Sequence, residues 1–189
     1  MQDAYRDPLL PTAFSVIAIL IWLPLMIVCS ISNLNLVAAL EQEPFQFYQG
    51  NAVVENASRR SSDTVLLRLD NGDYLKINEP LLDYHGISLT RADVIQGDIL
   101  FEDIPFYYTA KSYFGGRLLG GGNVGAHTCV TMASESVDAE QLSSVREYFL
   151  TEGIAFLAIG IVPVLFLILL LIHIWKKHKE LYRNPYARR

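Results

Sequence analysis

The chain has 189 residues, 51% of them hydrophobic and 19% charged, with a formal net charge of −5 and a mean hydropathy of +0.26. That charge content excludes a disordered chain, and two cysteines exclude a disulfide-built secreted scaffold. The hydrophobic excess sits in two blocks near the ends, which excludes a simple cytosolic globule.

Residues 1–12 form a short polar head with one Arg and two Asp. The first apolar block follows at Ala13–Ile31, 19 residues without a charge. A bilayer core of about 30 Å takes about 20 helical residues at about 1.5 Å each, so this length predicts a transmembrane helix. The head lacks the basic flank of a cleaved signal, and only Val37-Ala38-Ala39 offers a small-residue cleavage site, so the block reads as an uncleaved anchor. Pro24 near its middle removes a backbone donor. The second block, Ile154–Trp175, has 22 residues with one titratable group, His173, and carries Pro163. It predicts a second span. Neither block holds an Asp, Glu or Lys to pair with His173, which argues against a proton relay.

The tail, 176–189, carries six Lys or Arg and one acid, whereas Leu34–Glu152 carries 8 basic and 17 acidic side chains, net −9. The excess of basic residues places the tail in the cytoplasm. Two spans then put both termini inside and the acidic middle in the periplasm or outside the cell. Lys176, Lys177 and Lys179 directly follow the span and attract lipid headgroups, at about 1 kcal/mol per charge on an anionic surface.

The middle segment predicts strands. Asp63–Leu69 and Tyr74–Asn78 flank Asn71-Gly72, a hairpin signal. Phe45–Tyr48 and Ala52–Glu55 flank a turn at Gln49-Gly50, and Val94-Ile95 and Ile99–Phe101 flank one at Gln96-Gly97-Asp98. Phe106–Tyr113 and Thr128–Met132 complete the set. Gly115–Gly125, with six glycines in eleven residues, predicts a mobile loop carrying Arg117, Leu118 and Leu119. Gly120, Gly122 and Gly125 spell GxGxxG, but a strand rather than a helix follows, which excludes a dinucleotide fold. Val137, Leu142, Val145 and Phe149 fall at helical spacing, with Asp138 and Gln141 as a start signal and Gly153 as a hinge before the second span. The predicted fold class is a two-pass α-helical membrane protein. A small mainly-β domain, barrel- or sandwich-like, occupies 34–138 outside the membrane, and a juxtamembrane helix occupies 139–153.

Chemistry is sparsely marked. His85 and His127 stand apart and no HxxxH or CxxC occurs, so no metal site and no cofactor are expected. Asp70-Asn71-Gly72-Asp73 lacks most ligand positions of a calcium loop, and Glu102-Asp103 reads as a solvated loop. A net charge of −9 speaks against nucleic acid as a partner. Asn56-Ala57-Ser58 is a glycosylation sequon that matters only in a eukaryotic host. His127 and Cys129 alternate on a predicted strand and share a face.

The order His85, Cys129, Arg146, with Thr128-Cys129 ending a strand and a Gly97-Asp98 step, loosely resembles a sortase. That resemblance implies a membrane-anchored β-barrel cysteine transpeptidase with Cys129 as nucleophile. The spacing from His85 to Cys129 is shorter than in that family. The competing reading is a buried structural cysteine. A disulfide with Cys29 is disfavoured, because Cys29 lies inside the first span.

The function expected from these features is binding, as an accessory, assembly or sensing subunit of an envelope complex with protein partners. Phe106, Tyr107, Tyr108, Tyr113 and Phe114, beside Arg117, form the candidate contact surface, with the alternative that they fill the core. The rivals are the Cys129 transpeptidase or hydrolase and a small oligomeric transport or channel subunit.

Overall fold

The computed structural model describes residues 9–42, 44–57, 64–117 and 122–183. Nine elements follow in order: α1 (Leu9–Gln42), β1 (Phe45–Ala57), β2 (Thr64–Leu69), β3 (Tyr74–Asn78), α2 (Glu79–Tyr84), α3 (Arg91–Gln96), β4 (Leu100–Arg117), β5 (Asn123–Met132) and α4 (Ala139–Arg183). The chain folds as two compact units. One comprises 1–34 and 151–189, the other Asn35–Leu150.

The first unit is built from two helical stretches long and apolar enough to cross a membrane. Pro24 and Pro163 both lie within helix. The stretches meet through small residues. A Cβ added at Gly160 would lie 2.9 Å from the Met26 Cβ, so only glycine permits that approach. Gly153, expected as a hinge, is instead a packing position within continuous helix. A Cβ there would lie 3.3 Å from Leu34. Its carbonyl also accepts a 2.7 Å hydrogen bond from Ser30 Oγ, and Asn33 Nδ2 donates to Glu152 at 3.3 Å. Most other side chains described in these stretches stay exposed, including Leu20 at 67% and Phe166 at 67%.

The second unit holds a five-stranded mixed sheet with neighbours in the order β1-β2-β3-β5-β4. Among the described residues there is one sheet, not the two stacked sheets of a sandwich. Strand β4 pairs antiparallel with β5 on one side and with β1 on the other, so the order of neighbours returns to its start. The parallel join of β3 to β5 spans two residue pairs, Leu75 with His127 and Lys76 with Thr128. The β2–β3 hairpin forms where Asn71-Gly72 predicts it, and Gly72 has φ +92°, which glycine adopts without cost.

Three local expectations are corrected. Gln49-Gly50 is not a turn, because β1 runs straight through it. Its pairing with β4 shifts between Gly50 and Ala52, opposite Asp103, whose φ is +48°. Asn51 Oδ1 accepts from the Asp103 amide there, which holds that bulge. Val94-Ile95 is helical, not extended. Thr90 caps α3 by accepting from the Asp93 amide, while the Asp93 carboxylate accepts from the Thr90 amide at 2.6 Å. The Thr90 side chain and then its backbone amide hold the Asp93 carboxyl below its usual value, so the carboxylate's share of the cap is lost as pH falls through that lowered value. Finally, Gly115, Gly116 and Gly125 lie in β4 and β5 rather than in a loop. Leu118, Leu119 and Gly120 fall outside the described residues, as do the head at 1–8 and Ser58 of the sequon.

The core of this unit collects Ala52 and Val54 of β1, Val65 and Leu67 of β2, Leu75 and Ile77 of β3, Phe106 of β4 and Val130 of β5. Leu81 and Leu82 of α2, Leu36, Val37 and Leu40 of α1, and Val145 and Phe149 of α4 cover it. Helix α4 starts at the expected place. Asp138 Oδ1 accepts from the amides of Glu140 and Gln141. The Gln141 amide turns inward and brackets Met132 on both its backbone groups.

Removing the Phe106 ring empties a fully buried site, whereas Phe47 is 52% exposed. Phe106→Ala is expected to cost about 3–5 kcal/mol of unfolding free energy. Phe47→Ala is expected to cost less than about 1 kcal/mol. Denaturant unfolding of the two variants side by side checks both values.

Candidate functional site

The residues singled out by the sequence fall into three places. Cys129 is at the centre of β5, fully buried, opposite Tyr108. Its Sγ lies 3.4 Å from the Thr131 carbonyl, to which the thiol donates. Burial pushes the thiol well above its usual value, so the nucleophilic thiolate is suppressed. Cys29 and Cys129 are both free thiols.

His85 ends α2, with its ring edge-on to Tyr84 at 5.1 Å. Its Nε2 is buried with no hydrogen-bond partner among the described residues, as are both amide atoms of Asn78 at the other end of the same helix. Asn78 occupies the cap position of α2 but makes no side-chain cap hydrogen bond. Arg146, on α4, is half-exposed and ion-paired with Glu41. A groove of about 470 Å³ runs beside this pair, lined by Leu40, Glu41, Ala139, Leu142, Ser143 and Arg146. The histidine, thiol and guanidinium of the alternative transpeptidase reading therefore differ sharply in access. The one group that must attack a substrate is the one sealed in the core.

The aromatic run divides by strand alternation. Phe106 and Tyr108 point into the core and are buried, so they cannot form a contact surface. Burial, followed by the nearby Asp73 and Tyr48, raises the Tyr108 phenol above its usual value. Tyr107 and Tyr113 are half-buried. The side chains of Phe114, Arg117 and Lys177 lie outside the described part of the structure. The exposed aromatic contact that remains was not foreseen. Phe47 and Tyr107 face each other across the β1–β4 ladder with ring centroids 5.0 Å apart. The Tyr107 hydroxyl is anchored by donating to the Glu135 carbonyl at 2.8 Å.

Thr109 was also missed, and it organises the polar part of the sheet. The β4–β5 register shifts between Tyr108 and Ser112, which leaves ladder groups unpaired. Thr109 supplies the substitutes. Its hydroxyl accepts from the Thr128 amide at 3.0 Å and donates to the Lys111 carbonyl at 2.9 Å. Its carbonyl lies 2.7 Å from His127 Nδ1, and since a carbonyl only accepts, Nδ1 carries the proton. His127 also packs edge-on against Tyr108. No signal short of the register itself would have revealed this arrangement. His127 is thereby engaged in holding β4 to β5.

Among the described residues no group of three or more His, Cys, Asp or Glu is placed to hold a metal ion. The acidic turn at Asp70–Asp73 is tied up locally. Asp73 accepts from Asn71 Nδ2, and Asp70 accepts from the Asn51 amide. At the end of α4, Lys176 is exposed and Lys179 lies over the Trp175 ring, 5.3 Å from its centroid. Comparison with known protein families, with curated proteins and with solved structures gives no match for this chain.

Cys129 is expected to resist a maleimide probe at neutral pH in the folded protein and to react once denaturant exposes it. Stability is also expected to fall as pH rises above the ordinary thiol value of about 8.5, because there only the unfolded chain releases the proton. Cys129→Ala should flatten that part of the profile. Rapid labelling of the native protein would contradict the assignment.

Proposed function

We propose that the protein is a two-pass membrane protein acting by binding, as an accessory, assembly or sensing subunit of an envelope complex. The observation that carries the membrane part is the surface of α1 and α4. Leu20, Ile21, Phe166 and Leu169 are all about two-thirds exposed, which water would penalise and lipid would not. The basic tail and the acidic middle support a reading with the termini in the cytoplasm and the sheet unit on the outer side. In this reading the five strands curl into a small barrel, an idea supported by the return of β4 to β1.

Binding is favoured over catalysis by the burial of Cys129, which withdraws the one strong nucleophile the sequence offered. The contact surface is then the Phe47–Tyr107 pair, not the buried Phe106 and Tyr108. An exposed aromatic held by a half-buried neighbour loses little freedom on docking, which suits a protein partner.

Purification of the full chain from native membranes in mild detergent, followed by mass spectrometry, tests this. A stoichiometric protein partner is expected, and Phe47→Asp should reduce its retention at least tenfold while the chain still folds. A lone chain or a pure homo-oligomer would contradict the accessory-subunit reading.

A further inference from the structure

The helix α4 does not stop where its apolar run stops. It continues through Lys176 and Lys179 to Arg183, so Lys176 and Lys179 are carried on a formed helix. Positions 176 and 179 are three apart and lie on one side of the helix. Lys179 and Trp175 are four apart, and the ammonium sits 5.3 Å from the indole centroid. Trp175 is 63% exposed. Tryptophan at the end of an apolar helix settles at headgroup level, with its ring among the upper acyl carbons. A lysine folded back over that ring is held at the same depth, within reach of phosphate oxygens.

We propose that Trp175, Lys176 and Lys179 form a binding site for the headgroup of an anionic phospholipid. The two ammonium groups take the phosphate and the second negative charge, and the indole ring packs on the glycerol end of the chains. A zwitterionic lipid presents the same phosphate but adds its own cation, which the two lysines repel. The site therefore reads net lipid charge rather than phosphate alone. This rests on the membrane reading above. An acidic protein segment is the competing occupant, but it offers nothing to the exposed ring beside the cations.

The test uses the full chain in two kinds of vesicle, phosphatidylcholine alone and phosphatidylcholine mixed with phosphatidylglycerol. Flotation first asks whether the chain enters bilayers. Native mass spectrometry of protein released from the mixed vesicles then asks which lipids it retains. Phosphatidylglycerol should be enriched among retained lipids over its share of the bilayer. Lys176→Gln and Lys179→Gln should each lower the enrichment about fivefold, the equivalent of about 1 kcal/mol per charge near an anionic surface. Lys179→Arg should keep it. Flotation with no preference for phosphatidylglycerol overturns the site and leaves the membrane reading standing. Failure to float overturns both. Displacement of the lipid by inorganic phosphate at physiological concentration would show a phosphate site, not a lipid site, and would also overturn the proposal.

Discussion

Strand β4 is the constraint on which the sheet unit depends. It pairs with β1 over Leu100–Thr109 and with β5 over Phe106–Arg117, so one 18-residue strand serves two neighbours in partly overlapping stretches. A strand of that length cannot stay regular, because the accumulated twist would separate it from one neighbour or the other. The chain answers with bulges. Asp103, at positive φ, takes up the shift against β1, and the segment from Thr109 to Lys111 takes up the shift against β5. At these two places a side chain bonds a backbone amide beside the shift, Asn51 in the first case and Thr109 in the second. The Thr109 bond is buried, where an unpaired group costs about 1–3 kcal/mol, whereas the Asn51 bond lies at the exposed rim.

The same geometry decides which residues are left for function. Alternation along β4 sends Phe106 and Tyr108 inward and leaves Tyr107 to meet Phe47. The shift on β5 brings His127 against the Thr109 carbonyl, while Cys129 goes to the core. The groups with most chemical potential are therefore spent on holding the strands together. What remains at the surface is the Phe47–Tyr107 pair, with Phe47 exposed and Tyr107 half-buried.

Much of this was legible in the residues, for identifiable reasons. The long apolar stretches were plain, since few other features produce 19 uncharged residues in a row. The β2–β3 hairpin and the start of α4 were written in local signals, Asn71-Gly72 and Asp138, that act within a few residues. The α3 capping box was equally local, with Thr90 and Asp93 in plain view, but two β-branched residues, Val94 and Ile95, suggested a strand instead. The short helix α2 was passed over although Pro80 lies two residues after Asn78, in the first turn, a pattern that suits a helix start. Gln49-Gly50 misled because a bulge and a turn use the same residue types. The roles of Thr109, Phe47 and Gly153 depended on register or on helix approach, both set by contacts far apart in the chain. Single-sequence periodicity carries no information about those.

The sheet unit and the basic end of α4 are proposed to lie on opposite sides of a membrane. Single thiols introduced by Asn71→Cys, in the exposed β2–β3 turn, and by Lys179→Cys, beyond the apolar run, test it directly. Both would be made in a chain lacking Cys29 and Cys129. A membrane-impermeant maleimide applied to intact cells should label the thiol at position 71, and label that at position 179 only after permeabilisation. Labelling of both positions in intact cells, or of position 179 alone, would contradict the account.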